Sequence, residues 1–103
     1  MPEIVLALYR AHAGKDAELR ALIDRHLPAL RAEGLITDRP PVLMRAADGT
    51  YIEMFEWVDG GAERAHHTPA VMAVWGPMGE IADFPALKDL PEAAGRFPHF
   101  HAL

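Results

Sequence analysis

Apolar residues along this chain change their spacing several times, and each change marks an element. The run "EIVLALYRA" (3–11) is almost continuous, rich in strand formers and bounded by Pro2 and Gly14, so it predicts a strand. A helical repeat follows. Leu19, Leu22, Ile23, His26, Leu27 and Leu30 share one side of a helical wheel, with Arg20, Asp24, Arg25 and Arg31 largely opposite. Gly34 supplies the stop after the last turn. Pro28 falls inside this helix, where it should cost about 3 kcal/mol or kink it, yet the pattern continues on both sides.

A period of two returns in "PPVLMRAADGTYIEMFEWVDGG", which reads as a hairpin with strands at about 42–47 and 50–58 around Asp48-Gly49. In its second strand Tyr51, Glu53, Phe55 and Trp57 point one way, and Ile52, Met54, Glu56 and Val58 the other. "AERAHHTPAVMAVWGPMGEIADF" is a second helical region in two pieces. Thr68-Pro69 would begin or restart it, and Gly76-Pro77 would bend or end it near Trp75. "FPALKDLPEAAG" reads as a loop with one short helical turn, and "RFPHFHAL" as a last strand whose Pro98 favours an edge or a strand start.

The order β-α-β-β-α-β predicts an α+β, ferredoxin-like fold over a single domain, residues 1–103. Its four-stranded antiparallel sheet would carry both helices on one face. The other face is then open. Half of the chain is hydrophobic, a large share for a domain that buries only about two-thirds of its unfolded surface. Two open faces closing on each other would make a homodimer.

Charge and missing residue types narrow the chemistry. Ten Lys and Arg against fifteen Asp and Glu give a net charge of −5 with no basic stripe, which argues against nucleic acid as a partner. Protonating all six histidines would take the chain from −5 to +1, so acid changes its charge balance strongly. Without cysteine there is no disulfide, no zinc–thiolate site and no cysteine nucleophile; without serine there is no Ser-His-Asp triad. The glycines form no phosphate-binding pattern. "EIVLAL" is too short for a signal segment and nothing approaches a membrane span, so a soluble, cytoplasmic protein without a membrane partner is expected.

Three stretches carry a likeness to a known family: the opening "YRAHAGKDAELRALI", the strand "EMFEWVD", and "GGAERAHHTPAVMAVW" ahead of a terminal strand. Over nearly its whole length the chain resembles the antibiotic-biosynthesis-monooxygenase-like branch of the dimeric α/β-barrel superfamily. The resemblance is one of architecture rather than of a catalytic signature. It implies a homodimer with a cavity between sheet and helices. In some members that cavity carries out cofactor-independent oxygenation of aromatic polyketides, and other members degrade haem.

The candidate catalytic residues are Glu53, His66 and His67. Glu53 is the one carboxylate on a strand face otherwise made of Tyr51, Phe55 and Trp57. Among aromatics it could take or give a proton; at an edge it would be solvated or paired with an arginine such as Arg45. His66 and His67 are adjacent, hence about 100° apart on a helix, and one of them could act as a base at a cavity mouth or simply belong to a first turn. Tyr9, Phe55, Trp57 and Trp75 could line a pocket for a small aromatic ligand, or pack as core or interface. His26 reads as a core histidine satisfied by a backbone carbonyl, and His12 as a turn residue. His99 and His101 have the i, i+2 spacing that lets two imidazoles share a cation, but no complete ligand set accompanies them, so neither a metal nor another cofactor is expected. The readings to separate are a cofactor-free monooxygenase, a small-molecule-binding module, and a structural dimer unit.

Overall fold

The computed structural model describes all residues, Met1–Leu103, as an α+β domain built on one antiparallel sheet. Strand β1 (Glu3–Ala11) leads into helix α1 (Asp16–Ala32), then the hairpin β2 (Val42–Arg45) and β3 (Tyr51–Trp57). Helices α2 (Gly61–Ala65) and α3 (Pro69–Ile81) follow, then β4 (Ala82–Asp83), two 3₁₀ turns (Leu87–Asp89 and Pro91–Ala94) and β5 (His101–Ala102). The spatial order is β4-β1-β3-β2-β5, with β3 in the middle.

Two sequence expectations need correction here. The sheet has five strands rather than four, because the chain makes a short strand directly after α3 and another at its end. The end strand is shorter than "RFPHFHAL" suggested: only His101 and Ala102 pair, with Arg45 and Met44 on the outer edge of β2. Secondly, α3 does not stop near Trp75 but runs through Gly76-Pro77 to Ile81. The carbonyl that Pro77 leaves without an intrahelical partner belongs to Ala73, and both residues are exposed, so water can satisfy it. Pro28 sits the same way in α1: it and Asp24, four residues earlier, lie on the exposed side, and the helix continues to Ala32.

Local chemistry accounts for the end of α1 and for the hairpin turn. α1 ends in a Schellman arrangement: Gly34 at φ 69° lets its N–H reach Arg31 O at 3.0 Å and the Leu35 N–H reach Leu30 O at 3.0 Å. The β2–β3 turn places Gly49 at φ 91°, with Asp48 Oδ1 accepting from the Thr50 N–H at 2.9 Å. Thr68 does stand before the first residue of α3, but its hydroxyl donates back to Arg64 O at 2.8 Å rather than capping the helix.

The alternation of β3 decides what each face of the sheet carries. Tyr51, Glu53 and Phe55 are buried beneath the helices, where Leu19, Leu22, Ile23, Leu27 and Leu30 of α1 meet Val71, Val74 and Met78 of α3. On the opposite face, Leu8 and Ile52 pack with Ala46, Leu90 and Phe100, so the C-terminal segment folds back over part of it. Ile4, Leu6 and Val42 are left uncovered, 53%, 41% and 38% exposed. No helix is long and apolar enough to cross a membrane.

Candidate functional site

Glu53 occupies the centre of the middle strand, facing the helices and 3% exposed. The partner held open in the sequence, Arg45, is elsewhere: its guanidinium bonds Asp16 at 2.6 Å and covers the Tyr51 ring at 4.5 Å from the centroid. Glu53 meets His26 instead. The apolar stripe of α1 brings His26 over β3, and its Nδ1 lies 2.7 Å from Glu53 Oε1. Tyr9, from the neighbouring strand, donates its hydroxyl to the same oxygen at 2.9 Å, and that hydroxyl is 3.3 Å from His26 Nδ1.

The fourth member fixes the protons. Trp75 of α3 donates its indole N–H to His26 Nε2 at 2.8 Å. An indole N–H can only donate, so Nε2 offers a lone pair and the ring proton sits on Nδ1, aimed at Glu53. His26 is thereby a neutral imidazole, and one oxygen of Glu53 accepts from two donors. Burial pushes the Tyr9 hydroxyl well above its usual pKa, and the charge and hydrogen bond of Glu53 push it further the same way. Tyr9 therefore holds its proton and passes hydrogen bonds on rather than carrying charge itself.

Beside this network is a cavity of about 280 Å³ between sheet and helices. Val5, Ala7, Phe55, Trp57, Met78 and Phe84 form its apolar walls, and Tyr9, His26 and Trp75 bring the network to its surface. Its rings meet edge to face: Phe55 and Trp57 at 5.0 Å, His26 and Phe55 at 5.7 Å, Tyr9 and Phe84 at 5.9 Å. A 150 Å³ apolar cavity holds benzene, so this space would take a molecule of roughly twice that size.

Of the residues singled out in the sequence, Glu53, Tyr9, Phe55, Trp57 and Trp75 converge here. His66 and His67 do not: both are exposed, and His66 touches the site only from outside, its ring edge-on to Trp75 at 5.0 Å. His12 pairs with Asp83 at 3.0 Å on the surface. His99 and His101 are exposed, and no group of three or more His, Asp or Glu side chains is arranged to hold a metal ion.

Sequence reasoning underrated His26. It is buried and satisfied, but by Glu53 and Trp75 rather than by a backbone carbonyl. The signal was present: one polar residue on the apolar stripe of α1 and one on the aromatic face of β3 are two buried polar groups on surfaces that must meet. Met78 and Phe84 were missed as cavity walls, since their positions depend on α3 continuing past Pro77. No protein-family model, no curated protein and no solved structure matches this chain.

Proposed function

We propose that the protein binds a small planar aromatic molecule carrying an acidic hydroxyl and removes its proton, as the first step of a cofactor-free oxygenation. The observation that carries this reading is the apolar cavity with a single polar wall, Tyr9 and His26, backed by a buried carboxylate. A ligand hydroxyl would donate to the Tyr9 oxygen while Tyr9 donates to Glu53, so the proton moves to Glu53 and the ligand becomes an electron-rich anion. Such an anion supplies its own electrons to oxygen, and a ligand seated against the apolar walls would displace water from around it. The likeness to the antibiotic-biosynthesis-monooxygenase-like branch points to the same chemistry. The strand order β4-β1-β3-β2, read as a ferredoxin-like core with β5 added, agrees with it. In this reading two copies meet through the uncovered strip of Ile4, Leu6 and Val42, giving the homodimer.

Both tryptophans of the chain line the cavity, so intrinsic fluorescence reports on it directly. Titration with para-nitroanisole, which has no acidic proton, should quench the signal saturably in the native protein and not in Ala7→Phe, where the cavity is filled. Oxygen uptake with polycyclic hydroxyaromatics should then appear in the native protein and vanish in Glu53→Gln. Quenching without saturation would remove the ligand reading altogether. One observation favours a second reading, a binding module without chemistry: both nitrogens of His26 are already engaged, as in a purely structural network. Saturable binding with no oxygen uptake from any hydroxyaromatic would select it.

A further inference from the structure

Glu53 lies between two spaces. On β1 its direct neighbour is Ala7, whose small side chain leaves room for the aromatic cavity. On β2 its direct neighbour is Leu43, and here a separate groove of about 290 Å³ runs between α1 and β2. Leu27, Pro28, Pro41, Leu43 and Asp24 border that groove, and Glu53 is part of its wall while Tyr9 and His26 are not. Oε1 takes both hydrogen bonds of the network. Oε2 accepts none from the protein and is not sealed off from solvent, and the groove is the space that Glu53 borders.

We propose that Glu53 passes protons between the aromatic cavity and the groove, so that the base is recharged from behind while the cavity stays dry. The role rests on the cavity reading given above; the route rests on the placement of the two oxygens. A bound acid gives its proton to the Tyr9 oxygen as the Tyr9 proton moves to Glu53 Oε1, leaving the ligand as the anion and Glu53 as the neutral acid. Rotation about Cγ–Cδ turns the protonated oxygen to the groove. Water there takes the proton as hydronium, and Glu53 returns to the carboxylate. Two anions so close in an apolar interior repel, so this second half runs after the ligand anion has reacted or left. The titratable groups around Glu53 are Tyr9 from β1, His26 from α1 and Asp24 on the groove wall; β2 contributes Leu43 and α3 the indole of Trp75.

The route can be read without any ligand, from the exchange of the His26 Nδ1 proton with water, followed by NMR on histidine-labelled protein and assigned with His26→Asn. Filling the groove with Leu43→Phe should slow exchange on the order of tenfold. Widening it with Leu43→Ala should speed exchange, which keeps the test informative if the larger side chain is not accommodated. Filling the cavity with Ala7→Leu should leave the rate unchanged. Exchange that slows with Ala7→Leu and ignores Leu43, or that ignores both positions, overturns the proposal. Absence of para-nitroanisole binding with the Leu43 dependence intact would instead remove the cavity reading and leave the route standing.

Discussion

The two faces of this sheet are made by the same strands, yet they are stabilised in different ways. On the helix side Tyr9, His26, Glu53 and Trp75 form a buried polar network in which each donor has an acceptor, beside a cavity lined with aromatic rings. On the other side Leu8, Ile52, Ala46 and Leu90 form a small apolar cluster, and the coverage stops at Ile4, Leu6 and Val42. Apolar packing tolerates incomplete coverage, because each uncovered side chain forfeits only its own transfer energy. A buried network does not, because losing one member strands the others. The helix face is therefore the one where position is dictated atom by atom.

That contrast can be broken most forcefully at Glu53. Replacing it with Ala removes the shared acceptor of the Tyr9 hydroxyl and the His26 Nδ1–H, leaving them only their weak 3.3 Å contact with each other, and should cost about 3 kcal/mol in urea unfolding. A cost below that of an ordinary core truncation would mean the network rearranges freely, and the distinction between the faces would fall. On the outer face Leu90→Ala should cost about 2.5 kcal/mol by the same measurement, as an ordinary cavity-forming change. Combined with Glu53→Ala the two costs should add, since the sites share no partner across the sheet.

A smaller effect sharpens the comparison through pH. The Tyr9 hydroxyl is raised in the folded protein, so above about pH 10 the unfolded chain ionises this tyrosine while the folded one does not. The stability Tyr9 confers is present below that pH and is lost as pH rises toward the folded value. Tyr9→Phe should lose about 1 kcal/mol at neutral pH and show a shallower fall in alkali, read from denaturation midpoints across the range. The Tyr51 hydroxyl is raised too, by burial and its bond to Asp16 against the opposing charges of Arg45 and Arg20, so part of the alkaline fall will survive. The smallest effect on the fold itself is expected at the uncovered strip. Ile4→Glu should change stability of the single chain by under about 0.5 kcal/mol. If the strip joins two copies, the same change should convert a dimer to a monomer in sedimentation; a monomeric native protein would show the strip to be merely exposed.

Residue patterning alone makes much of the fold legible. The period-two alternation of β3 separated Glu53 and its aromatic neighbours from Ile52 and Met54, and the buried set on α1 is the one its helical repeat marks. Asp48-Gly49 and Gly34 marked a turn and a helix end because few other residues adopt φ above zero there. Pro77 reads as a bend or an end, yet the helix continues through it, because its cost depends on whether water can reach the freed carbonyl, which is a property of the packed helix and not of the residue. The short strands β4 and β5 were not legible at their true lengths, since two-residue pairings leave no periodicity to detect.

The candidate site divides the same way. Sequence alone determined that Glu53, Phe55 and Trp57 share a face, because strand geometry alternates with a fixed period, and that His26 lies on a buried stripe, because helix geometry does too. Only the tertiary structure decided that this face is the one beneath the helices, that His26 and not His66 or His67 reaches Glu53, and that Trp75 sets the tautomer. The reason is physical: periodicity fixes directions within one element, whereas a hydrogen bond between residues 27 and 49 positions apart depends on how separate elements pack.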